Sequence, residues 1–329
     1  MNPEVSVIIP CRNEAETITL LLDALYTQSY PREQMEVIVA DGMSQDATRK
    51  RIAAYQTQHP DMLIKIVDNP KRTIPAALNR AIEASVGEYI IRLDAHSIPG
   101  QDYLARSVQG LKDNLAENIG GVWDVAPQNG TPIAKAIAAS AAHPLAVGGA
   151  KYRFTDKAAY VETVPFGAWK RSILRAVGGY DESLLTNEDY ELNTRLTQQG
   201  GRIYLDPQIR SVYFARSNLS GLASQYWRYG YWKTAMLKRY PDSLKLRQAL
   251  PPLLVSGLAV LLVLSLVIKG FWPFFLLAAG LYLVVLLAIG TQIAIQKKDI
   301  IMIPLVAIAT LSMHFAWGTG FIYGLFSKH

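Results

Sequence analysis

From Leu250 onward the chain carries almost no charge. Three apolar runs follow one another: Leu250 to Ile268, Phe271 to about Ile295, and Ile300 to Phe326. Each is long enough to cross a hydrocarbon layer of about 30 Å. In lipid every backbone N–H and C=O must be satisfied within its own segment, so each run is committed to helix. A buried helical core is the competing reading, but soluble cores seldom string three such runs together. The first link is only Lys269-Gly270, which predicts a tight helical hairpin. The second, Gln296-Lys-Lys-Asp299, is basic, and Lys233, Lys238, Arg239, Lys245 and Arg247 precede the first run. Basic loops stay on the cytoplasmic side. Three crossings then keep everything before Leu250 in the cytoplasm and leave Lys328-His329 outside. A multi-pass protein of the cell (inner) membrane is expected, with Trp272, Trp317, Tyr323 and Phe326 in interfacial belts.

Up to about Arg247 the pattern is that of a soluble α/β protein. The 329 residues carry a formal net charge of +6. A nucleic-acid binder would set its basic residues along a groove or helix. Here the late basic residues lie just ahead of the apolar runs, which points to anionic lipid headgroups instead. Cys11 is the only cysteine, so no intrachain disulfide forms and no oxidising compartment is needed. The opening Met-Asn-Pro-Glu-Val lacks the basic start of a signal peptide.

Strands and helices alternate through the first part. Val5 to Pro10, Met35 to Ala40, Leu63 to Val67 and Glu88 to Leu93 read as buried strands. Glu14 to Tyr26, Ser44 to Gln58 (Ser44 as its N-cap) and Ile74 to Ser85 read as helices. Apolar strands alternating with helices imply a mostly parallel, Rossmann-like sheet with right-handed crossovers. Ligands of such a sheet bind beyond the carboxyl ends of its strands. Arg12-Asn13-Glu14, Asp41 and Asp94-Ala95-His96 each follow a strand, so all gather at that edge. An acid and an imidazole two residues apart, Asp94 and His96, suit a divalent cation held against a diphosphate. Arg72 can face the phosphates. The chain lacks GxGxxG and GxxxxGK[ST], which removes the usual dinucleotide and P-loop readings.

Farther on, Gly120 to Val125 reads as a strand. Ile133 to Val147 reads as a helix of small residues, suited to close packing on a neighbour or a lipid chain. Thr186-Asn-Glu-Asp-Tyr-Glu-Leu-Asn193 opens another helix. Gln225, Arg228, Tyr229 and Trp232 recur at i, i+3, i+4 and i+7 and share one helical face. The expected division is a catalytic-type α/β domain over 1–217, amphipathic interfacial helices over 218–249 and a transmembrane domain over 250–329.

Val5-Ser-Val-Ile-Ile-Pro-Cys-Arg-Asn-Glu14, Asp41-Gly-Met-Ser-Gln-Asp-Ala-Thr48, Asp94-Ala-His96, Gly178-Gly-Tyr-Asp-Glu182, Asn187-Glu-Asp-Tyr-Glu-Leu-Asn193 and Gln225-Tyr-Trp-Arg-Tyr229 occur in this order. Together they resemble the family 2 inverting glycosyltransferases of the GT-A fold, and among them the succinoglycan-biosynthesis ExoA-like membrane branch. The resemblance spans about Val5 to Arg247. It implies a sugar-nucleotide donor of the UDP class. It implies that Pro10, Arg12, Asn13, Glu14 and Asp41 hold its uridine and ribose, with Arg72 near the nucleotide or diphosphate. Asp94 and His96 take the DxD element that binds Mg²⁺ or Mn²⁺, and Gly167 lies close to the sugar. Asp189 matches the catalytic base. Gln225, Arg228 and Tyr229 match the QxxRW element, with Tyr in place of Trp. His96 replaces the family's second acid, and imidazole favours Mn²⁺ over Mg²⁺. Ala40 replaces an acid that many relatives carry before Asp41.

An inverting transfer needs one proton acceptor and one means of neutralising the leaving diphosphate. Asp189 is expected to supply the first, and Asp94, His96 and a metal the second, with a lipid-linked saccharide hydroxyl as acceptor. Other readings are a polyprenyl-phosphate monosaccharide synthase, a processive synthase, or a non-catalytic sugar-nucleotide-binding scaffold. Each residue also has a plain structural role open to it. Thr186-x-x-Asp189 resembles a capping box, Asp41-Gly42 a turn, His96 a packed histidine and the Gln225 to Trp232 face an aromatic belt.

Overall fold

The computed structural model describes residues 3–327; Lys328 and His329, expected outside, lie beyond them. In chain order the elements of the first stretch are β1 (Val5–Cys11), α1 (Ile18–Tyr26), β2 (Met35–Asp41), α2 (Thr48–Gln58), β3 (Leu63–Asp68), α3 (Ile74–Ala84) and β4 (Tyr89–Arg92). Then come β5 (Ile98–Pro99), α4 (Tyr103–Lys112), β6 (Asn118–Pro127), α5 (Pro132–Ala141), α6 (Pro144–Val147), β7 (Ala159–Tyr160), β8 (Ala168–Lys170), α7 (Arg171–Ala176), α8 (Glu188–Gln198) and β9 (Ile203–Ala215). The chain ends in α9 (Leu219–Arg239), α10 (Leu246–Val267), α11 (Trp272–Lys297) and α12 (Met302–Phe326). It divides into two compact units, 1–124 with 154–213, and 125–153 with 214–329.

The first unit is built on one sheet in the order β3-β2-β1-β4-β8-β6-β9-β5, with β7 on β9. β3, β2, β1 and β4 are parallel, in the register Val5↔Met35 and Val5↔Tyr89. Strands buried on both faces read as continuous apolar runs, and Val7, Ile8, Ile9, Val37, Ile38 and Val39 are fully enclosed. Odd-numbered residues of β1 pack on Leu21, Leu22 and Leu25 of α1, while α3 covers the other face of β1 and β2. From β8 onward the pairings with β4, β6 and β9 are antiparallel. The sheet is therefore mixed, with its parallel half at the N-terminal side.

Two expected helices start late. α1 begins at Ile18 and α2 at Thr48, because the residues before them make loop contacts instead of helical turns. Ser44 is not an N-cap. Its hydroxyl donates to Asp41 Oδ1 (2.5 Å) and accepts from Asn13 N–H (2.8 Å). The small-residue helix expected over 133–147 is broken after Ala141. Pro144 cannot extend it and starts α6 instead.

In the second unit, α10, α11 and α12 are long and apolar enough to cross a membrane. A short turn, Lys269–Phe271, joins the first two. α5 packs through Ala136 and Ala139 on Ile289, Ile293, Met302 and Val306 of α11 and α12, so its small residues meet a helical neighbour. α9 lies along α12. A Cβ on Gly320 would stand 2.2 Å from the Trp227 carbonyl oxygen, and one on Gly230 would stand 2.1 Å from that of Trp317. Lys233 departs from the expected headgroup-facing cluster. It is 2% exposed, and its ammonium donates to the Ser243 carbonyl (2.9 Å) and hydroxyl (3.2 Å). Burial, with the charge of Lys245, pushes its pKa down to about 7.

Candidate active site

The loops beyond the parallel strands are stitched to one another. Gly42 N–H donates to the Cys11 carbonyl (2.7 Å), and Asn69 N–H to that of Asp41 (2.8 Å). Asn13, in the left-handed region at φ 55°, accepts from Gln45 N–H at 2.9 Å. Glu14 N–H donates to Thr48 Oγ1 and Ala15 N–H to Asp46 Oδ2. These bonds explain the late helix starts, and they fix Arg12, Asn13 and Glu14 beside the loop after β2. Pro10, one residue before the end of β1, lies opposite Ala40. Arg12 is exposed and lies against Gly42. Arg72, also exposed, sits at φ 58° in the loop after β3.

Asp41 has a different environment from the one expected. Its side chain is fully buried, and its carboxylate accepts from Ser44 N–H (3.0 Å), Ser44 Oγ and Arg49 Nε (2.6 Å). Its oxygens hold the loop rather than face open space. Arg49 reaches back from α2 to neutralise the carboxylate.

The strand-end acid and the late acidic cluster come together. Arg92 Nε donates to Asp94 Oδ1 (3.1 Å), and its Nη2 to Glu188 Oε1 (3.0 Å). The guanidinium is buried and lies 5.9 Å from the Tyr180 ring centre. Its Nη1 has no partner among the described residues. Burial disfavours the guanidinium charge, but Asp94, Glu188 and Asp189 outweigh it and hold Arg92 protonated. Burial pushes Glu188 up to about 7, with the Asp189 charge adding to the rise and Arg92 opposing it. Burial likewise raises Asp189. Asp94 adds to that rise, while Arg92 and a 2.7 Å bond from Tyr190 N–H oppose it. Asp189 therefore shares one electrostatic cluster with Asp94 and stays basic enough to take a proton.

α8 is held rigidly. Asn193 accepts from Asn118 Nδ2 (2.7 Å) and donates to Thr163 Oγ1 (3.0 Å). Arg195 joins Glu191 (2.6 Å) and donates to the carbonyls of Val177 and Gly179. Asn187, at φ 66°, is the N-cap, so the capping box with Thr186 as its cap does not form. Gly167 borders the cluster, its carbonyl accepting from Arg92 N–H at 3.0 Å. A Cβ there would strike Trp169 and Asn118 at 2.5 and 2.7 Å.

His96 is exposed, and its Nδ1 lies 3.1 Å from Glu14 Oε1. Burial raises the Glu14 carboxyl, and the bonds from His96 and Thr17 reverse that, leaving it below the ordinary value. No group of three His, Cys, Asp or Glu side chains among the described residues is arranged to hold an ion. The donor chemistry of Asp94 and His96 still fits a divalent cation that takes its other ligands from a diphosphate and water.

Gln225, Arg228 and Tyr229 lie on α9 in the second unit. Gln225 is buried and its Nε2 donates to Tyr229 Oη at 2.9 Å, as the i, i+4 spacing requires. Arg228 lines a groove of that unit. Sequence reasoning left Arg92 unassigned. The signal was present, since a charge in the apolar strand Tyr-Ile-Ile-Arg-Leu needs a buried partner.

Residues 6–178 match the family described as Glycosyl transferase family 2. The chain is 34% identical to the succinoglycan biosynthesis protein ExoA of Rhizobium meliloti (strain 1021), over 96% of this chain and 93% of that protein. It is 30% identical, over 71% of this chain and 74% of the other, to a dolichyl N-acetyl-α-D-glucosaminyl phosphate 3-β-D-2,3-diacetamido-2,3-dideoxy-β-D-glucuronosyltransferase of Methanococcus voltae. Among solved structures, the mannosyltransferase PcManGT of Pyrobaculum calidifontis, in complex with GDP-Man and Mn²⁺, superposes with a TM-score of 0.65 at 24% identity. The match covers 95% of this chain and 87% of that one, and it speaks to the fold. The chain belongs to glycosyl transferase family 2 and is a glycosyltransferase with the GT-A fold.

Proposed function

We propose that this protein is a membrane-anchored, inverting glycosyltransferase. It moves a sugar from a nucleotide donor, UDP-linked, to a hydroxyl of a polyprenyl-diphosphate-linked saccharide in exopolysaccharide or glycolipid assembly. The observation that carries the reading is the joining of Asp94 and Glu188 through Arg92, with Asp189 in the same cluster. The acceptor hydroxyl attacks the anomeric carbon as the bond from that carbon to the diphosphate oxygen breaks. Asp189 takes the hydroxyl proton, and the nucleoside diphosphate leaves with the bonding pair. Arg92 keeps Asp94 and Glu188 in place. Arg12, Asn13, Glu14, the Asp41 loop and Arg72 hold the nucleotide, and Gly167 lies close to the sugar. Asp94 and His96 would hold Mn²⁺ or Mg²⁺, which neutralises charge on the leaving diphosphate. Solved neighbours contain GDP-Man with Mn²⁺ and, for TarS of S. aureus, UDP, which supports a nucleotide donor. The ExoA relative's name supports exopolysaccharide assembly. The cytoplasmic placement of the catalytic unit rests on the basic Lys297-Lys298 loop.

The test is a donor screen with purified protein, Mn²⁺ or Mg²⁺ and a lipid extract, reading nucleotide release and glycolipid mass. Release that requires both metal and extract is expected. Donor binding without release under any combination would leave a scaffold as the better description.

A further inference from the structure

His96 sits on a turn that is tied down. Ser97 donates to the Asp94 carbonyl through its N–H (2.9 Å) and its hydroxyl (2.7 Å), and Ala95 is buried. The His96 side chain itself is 49% exposed. Exposed rings ordinarily change rotamer within nanoseconds. This one is held, its Nδ1 lying 3.1 Å from Glu14 Oε1, so a contact joins the loops after β1 and β4.

Glu14 is a fixed post, not a loose surface acid. Its N–H donates to Thr48 Oγ1 (2.8 Å), its carbonyl accepts from Ile18 N–H (2.9 Å), and its Oε2 accepts from Thr17 Oγ1 (2.5 Å). An ionised carboxylate only accepts, so the bond to His96 places a proton on Nδ1. The neutral ring then carries its lone pair on Nε2, the nitrogen a cation can take. Asp94 is treated in the same way, since Arg92 Nε holds its Oδ1 at 3.1 Å. Histidines that ligate metals commonly donate their other ring N–H to a carboxylate, which fixes both tautomer and ring orientation.

We propose that Glu14 is the positioning residue of the cation site. Through Nδ1 it sets the tautomer and orientation in which His96 joins Asp94 on the divalent cation of the donor diphosphate. This rests on the metal-assisted reading above. Glu14 keeps its place in the nucleotide loop, so the loop after β1 serves the cation as well as the nucleotide. The imidazole it orients gives the site a preference for Mn²⁺ over Mg²⁺.

The test titrates Mn²⁺ into the full chain in detergent and counts free ion by electron paramagnetic resonance. The titration is repeated with UDP or GDP, against a nucleotide-only blank, and with Mg²⁺ as competitor. Glu14→Met, which removes both acceptor oxygens, is expected to weaken Mn²⁺ binding roughly 10–100-fold and to narrow the preference over Mg²⁺. Glu14→Gln, whose amide oxygen still accepts from Nδ1–H, is expected to recover part of the loss. His96→Ala is expected to weaken Mn²⁺ binding to a similar degree. Glu14→Met added to His96→Ala is expected to cost nothing further, because the two residues act in series. A purely structural effect, or a direct effect on the nucleotide, would persist in that background. Wild-type Mn²⁺ affinity in Glu14→Met overturns the proposal, as does an undiminished effect of Glu14→Met in the His96→Ala protein. Wild-type protein that takes up neither ion with either nucleotide overturns the metal reading itself.

Discussion

Arg92 is the charged residue of β4, and its fork reaches Asp94 on one side and Glu188 on the other. Replacing it with Met leaves buried Glu188 and half-buried Asp94 without their shared cation. Breaking such a pair costs roughly 3–5 kcal/mol, so Arg92→Met is expected to lower the melting temperature clearly. A melt equal to wild type would mean that the carboxylates do not depend on it. Cys11 gives a second check. It is 5% exposed, and burial together with the charge of Asp41 raises its thiol. A native sample is expected to resist thiol reagents until denatured. Asp94 and Asp189 were legible in the chain because each marks an element end in a recognisable order. The bonds that hold Asp41 were not, since Arg49 and Ser44 reach it only once the loop has folded.

At the scale of elements, the parallel half of the sheet was legible and the antiparallel half was not. β1 to β4 are apolar runs separated by helices, whereas β5 and β7 are two residues long and β8 three. Such strands leave no periodicity to read and exist only through their partners. The starts of α1 and α2 were misplaced for a related reason: Thr48, Asp46 and Ser44 spend their side chains on the neighbouring loop. The contact between α9 and α12 is set by glycines whose neighbours are backbone. Gly320→Leu has no side-chain path to relief, and a loss of about 3 kcal/mol or more is expected. A variant that purifies and melts like wild type would show that the two helices do not pack at Gly320.

At the scale of the molecule, residues 125–153 lie inside the stretch expected to form one domain, yet they group with the C-terminal helices. Only packing reveals this, since Ala136 and Ala139 are as compatible with lipid as with Ile293. The membrane reading has its own check. Because Cys11 is buried, single cysteines can be placed at Gly270 and Lys298 in the wild-type background. A membrane-impermeant thiol reagent is expected to label Gly270→Cys in whole cells and to spare Lys298→Cys until the membrane is opened. Labelling of both from outside would reverse or break the hairpin.

The most direct measurement is the pH profile of kcat/KM for wild type and Asp189→Asn on the same donor and acceptor. Asp189 is raised and Glu188 is pushed up to about 7, and the two titrate as a pair. The base works only when deprotonated. Wild-type activity is therefore expected to fall as pH drops, at a pH above the ordinary carboxylate value of about 4. Asp189→Asn is expected to fold normally, lose roughly 10²–10⁴-fold in rate and lose that acid limb. Full turnover in Asp189→Asn, with the wild-type profile intact, would contradict the account.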